Sequence, residues 1–146
     1  MLDFNRYIHL LSNLRRGNYR GRFSNAKPVF ILTIIDLIEN NYIKENSIIY
    51  NAMIENFFKI NLWKYDNDNN SVAIMPFFHL NKESFYHIKW KEGKEITSYS
   101  RTPSAKYLRE NVEYAKLDDE LWHILQDSSN REIIKQAIIN KYFPEK

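Results

Sequence analysis

Residues 99–109, YSRTPSAKYLR, set Pro103, Ser104 and Ala105 at the start of a predicted helix, with Arg101, Lys106 and Arg109 around them. A helix start exposes free backbone N–H groups and a partial positive charge, and both suit a phosphate. The tip itself is apolar, a proline ring and an alanine methyl. Cations around an apolar tip point to a ligand that is anionic yet partly apolar.

A second cluster lies near the N-terminus. No acid stands between Asp3 and Asp36, while Arg15, Arg16, Arg20, Arg22 and Lys27 crowd a loop that carries Gly17 and Gly21. Arginine forks match phosphate oxygens, glycines let a loop follow a groove, and Tyr19 and Phe23 offer rings to stack on a sugar or base. Lys27–Pro28 repeats the device of Thr102–Pro103, a proline-opened helix start in a positive segment. Two such starts predict recognition of a nucleic-acid backbone.

The charge distribution agrees. The net charge of the chain is only +3, but residues 1–35 hold six basic residues and one acid, and residues 82–109 hold seven basic and three acidic. The intervening and final segments are acidic, so the two positive segments predict one basic face if they meet in space.

Catalytic chemistry finds no support, and no metal or cofactor is expected. His9, His79, His87 and His123 have no metal-ligand spacing and no cysteine partner. Asp118, Asp119 and Glu120 look like an acid cluster, but they fall in the first turn of a predicted helix, where acids favour the dipole. His79 and His87 flank a predicted hairpin turn, which would pair them across strands in a structural or DNA-contacting role. Phosphate-loop, dinucleotide-binding and nucleophile-elbow patterns are absent.

The elements that must position these residues follow from periodicity. Residues 2–14 read as an amphipathic helix and residues 15–27 as a loop, followed by a buried helix opened by Pro28 and ended by Asn40 and Asn41. A third helix is predicted from Ser47 to about Leu62. Aromatic and β-branched content predicts strands over 72–80, 84–91 and 95–99. Thr102 is expected to cap a helix running to about Lys116, Asp118 to open a short one, and Ser128 or Ser129 to cap the last. The fold class is mainly α with a small antiparallel β element, in a single compact domain covering residues 1–146.

At 146 residues and 44% hydrophobic content, the chain can bury a core without staples, and it has no cysteine. That excludes disulfides and thiolate zinc sites and suits a cytoplasmic protein. The longest apolar run, residues 29–38, is interrupted by Thr33 and Asp36 and is too short to span a bilayer. The N-terminus MLDFNRYIHLL carries an early acid and does not read as a signal peptide.

With NAKPVFILTIIDLIE, MPFFHL, SFYHI, TPSAKYLRE, LDDELWHILQD and REIIKQAIINKYF in this order, the chain resembles a known family. It is similar to the DNA sulfur-binding domain of McrA-like, phosphorothioate-dependent type IV restriction endonucleases, from about Tyr7 to Phe143. The resemblance implies a helical domain that binds duplex DNA in which sulfur replaces one non-bridging phosphate oxygen. It implies a shallow apolar sulfur pocket around Thr102, Pro103, Ser104 and Ala105, with Lys27 as the basic residue beside it. The family's alanine-proline-histidine-lysine-proline pattern reads here Ser24–Asn25–Ala26–Lys27–Pro28. Ala26 thus stands in place of the histidine, and Asn25 in place of the first proline. On this reading Arg16, Arg20, Arg22, Asn25, Ala26, His79, Ser100, Arg101, Lys106 and Arg109 line the DNA.

The family usually joins this domain to an HNH nuclease domain, so an HNH domain or subunit is an expected partner. This chain by itself is expected not to cut DNA. Three alternatives stay open at this point. One is a module for other nucleic acid, such as methylated DNA or RNA; another is a protein-interaction subunit of a defence or toxin system using Phe77, Phe78 and Tyr86; the last is a nuclease with an unrecognised site.

Overall fold

The longest apolar stretch becomes the central helix. In the computed structural model, which describes residues 3–96 and 102–146, this helix runs over Ala26–Glu39, and every residue from Ala26 to Ile38 except Asp36 is buried. We call it α2; α1 (Phe4–Leu11) and a hairpin of two short strands, β1 (Asn18–Tyr19) and β2 (Arg22–Phe23), precede it. A helix apolar all round needs neighbours on every side. Three helices supply them: α3 (Ala52–Tyr65), α4 (Ile74–His79) and α7 (Ser128–Tyr142). Between α2 and α3 runs a polar seam, in which Asn61 Nδ2 donates to Thr33 Oγ1 (3.2 Å) and Asp36 Oδ2 (2.8 Å). Buried polar groups that satisfy one another fix the register of the two helices.

The remaining elements close the core. Strand β3 (Tyr86–Trp90) pairs antiparallel with β4 (Val112–Leu117), from Tyr86 opposite Leu117 to Trp90 opposite Val112. Between them in sequence lies α5 (Ala105–Asn111), and α6 (Asp119–Leu125) leads into α7. The fold is mainly α with a small antiparallel β component, as the sequence predicts.

Several elements differ from expectation. Within residues 72–80 the chain forms a helix over Ile74–His79 rather than a strand, and Ala73, Ile74, Phe77, Phe78 and Leu80 are buried at helical spacing. Pro76 sits in the first turn of α4, where a missing N–H leaves no bond unmade. The predicted helix over 103–116 splits. It ends at Asn111, whose side-chain amide donates back to the Tyr107 carbonyl (2.9 Å), and the β-formers Val112 and Tyr114 then pair with β3. Ser47 caps nothing; Asn51 caps α3, and Ile48 joins Ala115 of β4 through two backbone bonds of 2.7 and 2.9 Å. Glu95 and Ile96 form no strand, and residues 97–99 lie outside the described residues. The basic loop holds a hairpin, and α1 stops at Leu11. Phe77, Phe78 and Tyr86, proposed for a protein interface, are all core residues.

Candidate nucleic-acid interface

The β1–β2 hairpin folds because its tip tolerates left-handed backbone. Arg20 has φ 53° and Gly21 φ 81°, the Gly21 N–H donates to Asn18 Oδ1 (2.9 Å), and the Ser24 N–H closes on the Gly17 carbonyl (2.8 Å). At the base of the hairpin Arg16 is fixed rather than mobile. Its guanidinium lies 5.0 Å from the Phe23 ring centre and 4.9 Å from that of Tyr142, and Nη1 donates to Asn25 Oδ1 (2.9 Å). Tyr142 is itself anchored, accepting from the Leu14 N–H (3.0 Å) and donating to the Leu11 carbonyl (2.7 Å).

Helix α2 then starts at Ala26, not at Pro28, which is its third residue. Asn25 makes no side-chain cap, because its oxygen serves Arg16; the Ala26 N–H meets Ser24 Oγ instead (3.3 Å). Lys27 points into the protein and is only 8% exposed. Its ammonium donates to Glu83 Oε2 at 2.8 Å, and the same oxygen accepts the Arg15 N–H at 3.1 Å. Both side chains of this ion pair are about nine-tenths buried, so each compensates a charge that could not stand alone there.

Above this pair opens a pocket of about 450 Å³. The hairpin side contributes Arg15, Arg16, Gly17 and Ser24, the start of α2 contributes Ala26 and Lys27, and Ser71, Met75, Pro76, His79 and Lys82 close the far wall. The imidazole of His79 titrates below its ordinary value, first because burial disfavours its charged form and then because Lys82 and Lys27 repel it. His79 Nε2 lies 3.4 Å from Thr102 Oγ1, which brings the start of the 102–105 segment to the pocket. There Ser104, not Thr102, caps α5, accepting the Tyr107 N–H at 3.1 Å. The chemistry available is anion binding: several cations, one neutral imidazole and a floor whose positive charge is already paired.

Arg16, Ala26, Lys27 and His79 therefore line one pocket, with Asn25 behind them and Thr102 at His79. Pro103, Ser104 and Ala105 continue from Thr102 without lining the pocket. Arg20 stands exposed at the hairpin tip, and Arg22 faces Asp66 and Asp68 at 4.0 and 3.9 Å. Lys106 is exposed; Arg109 turns away to Glu55 of α3 at 3.7 Å. Ser100 and Arg101 lie outside the described residues. His87 does not pair with His79. The His79 side chain ends α4, whereas His87 bonds Asp118 at 2.6 Å.

Sequence reasoning missed Glu83, Lys82 and the α4 wall of Met75 and Pro76. Glu83 is an acid within a positive segment, a signal that points to a paired charge; the α4 wall was hidden by reading that stretch as a strand. Among the described residues no group of three or more acids or histidines could hold a metal ion, and no helix is long and apolar enough to cross a membrane.

No family model matches the chain, and no curated protein does. Solved structures do. The sulfur binding domain of ScoMcrA complexed with phosphorothioated DNA superposes with a TM-score of 0.74 and 15% identity, over 95% of this chain and 88% of that one. The sulfur binding domain and SRA domain of ScoMcrA, again complexed with phosphorothioated DNA, gives a TM-score of 0.74 and 16% identity over 94% of this chain. The chain spans 42% of the length of that second protein. At these identities the likeness establishes the fold.

Proposed function

We propose that this domain binds duplex DNA carrying a phosphorothioate in its backbone. The observation that carries the reading is the convergence of the hairpin base, the start of α2 and His79 on one cationic pocket, with Thr102 touching His79. The likeness in fold to domains solved with phosphorothioated DNA supports it.

Arg16, Arg20, Arg22, Lys82 and Lys106 would neutralise phosphates along the strand, and Lys27 would offer the pocket floor hydrogen-bond donors. Beside them Pro103 and Ala105 supply the apolar contact for sulfur. Sulfur is larger and less strongly hydrated than oxygen. An anionic oxygen set against those two residues would lose water with no donor in return, at roughly 1–3 kcal/mol. The sulfur preference is then about fivefold to 150-fold, on top of sequence-blind phosphate binding. A nuclease domain or subunit acting with this chain would supply cleavage.

The experiment is a titration with two duplexes that differ in a single sulfur, at physiological salt. Tighter binding of the modified duplex is expected. Equal affinity for both would falsify the sulfur reading and leave a general nucleic-acid binder.

A further inference from the structure

We propose that Glu83 is a specificity-determining residue: by neutralising Lys27 from beneath, it limits the pull of the pocket on an ordinary phosphate. This inference rests on the reading that the pocket receives a DNA backbone anion.

Three observations lead to it. Glu83 is an acid bonded to two residues that line the pocket, Lys27 and Arg15, where an acid would be expected to oppose binding of an anion. It is nonetheless buried and shares one oxygen between the Lys27 ammonium (2.8 Å) and the Arg15 N–H (3.1 Å). Lys27 lines the pocket, and its ammonium is held by Glu83, so the charge of the lining residue is already answered within the protein.

A pocket floor with donors but little net charge treats the two anions differently. Ordinary phosphate oxygens are strongly hydrated, and leave water only for a strong uncompensated cation. A sulfur-bearing group is more easily dehydrated and gains from apolar contact, so it loses less when the cation is muted. Glu83 would thus sacrifice affinity for all DNA to gain discrimination, and would also hold the Arg15 backbone that begins the hairpin.

The test uses Glu83→Gln, whose amide oxygen still accepts from both donors. Lys27 then becomes an uncompensated cation. Binding of unmodified duplex should tighten about tenfold at low salt, and its salt slope should steepen by about 0.9, the increment for one more neutralised phosphate. The modified duplex should gain less, so the sulfur preference falls. A merely structural role predicts the opposite, weaker binding of both duplexes with slope and preference unchanged, and that result overturns the proposal.

Should Glu83→Gln fail to fold, the double variant Lys27→Met/Glu83→Gln replaces the pair with neutral groups of similar size. Its slope should match the wild type; a slope shallower by about 0.9 would show that Lys27 acts as a free phosphate contact and also overturns the proposal. Because the slopes are read on unmodified duplex, a wild type without sulfur preference sinks the sulfur reading separately from the role of Glu83 in setting charge. Absence of binding to either duplex sinks both.

Discussion

The two proline-bearing segments look alike in sequence and differ in almost every physical respect. Asn25 to Pro28 opens a 14-residue helix at the centre of the core, with Lys27 buried against Glu83 and Asn25 held by Arg16. Thr102 to Ala105 opens a seven-residue helix at the surface, with Thr102 and Ser104 exposed and a single side-chain cap. The first is built into the fold and the second rests on it. Perturbing the first should change stability and affinity together; perturbing the second should change selectivity with stability nearly intact.

The largest effect should come from Lys27→Met, which leaves Glu83 buried without its cation. A loss of about 3 kcal/mol in folding stability is expected in chemical denaturation. A variant as stable as wild type would show that the pair is solvated and would erase the contrast between the segments. Next comes Pro103→Gly, for which the sulfur preference should fall about tenfold or more while unmodified DNA binds nearly as before. Unchanged preference would move the sulfur contact away from this segment. Ser104→Ala should lower stability by about 1 kcal/mol through loss of the α5 cap, visible as a modest drop in thermal midpoint.

The smallest effect sharpens the link between the two segments, since His79 meets Thr102 and lines one pocket with Ala26 and Lys27. Its pKa is lowered in the free protein, and an anion in the pocket favours the imidazolium, so binding takes up a proton. Affinity should rise a few-fold as pH falls from 8 to 6, and His79→Gln should flatten that dependence. Stability moves the other way. A lowered histidine pKa contributes fully above the unfolded value of about 6.5 and is lost as pH falls below it toward the folded value.

Much of this was legible in the sequence where local chemistry decides. The run from Val29 to Ile38 is too apolar to be anything but buried, and the twin positive segments do meet, where Glu83 accepts from Lys27 and Arg15. Where long-range pairing decides, local reading failed. Val112 to Leu117 continues a helical pattern until β3 claims it, and 72–80 carries strand-forming residues that the core takes as a helix. The same holds within the pocket. No local pattern ties Lys27 to an acid 56 positions away, so a residue that reads as a free phosphate ligand is in fact half of a buried pair.

The hydroxyl of Tyr142 bonds the main chain at Leu11 and Leu14, and its ring carries Arg16. The base of the hairpin thus waits for the last turn of α7, where Tyr142 lies 128 positions beyond Leu14. During synthesis the arginine cluster leaves the ribosome long before its support does. A nascent chain therefore carries the charges without the shape, and acquires the finished pocket only once translation has passed Tyr142.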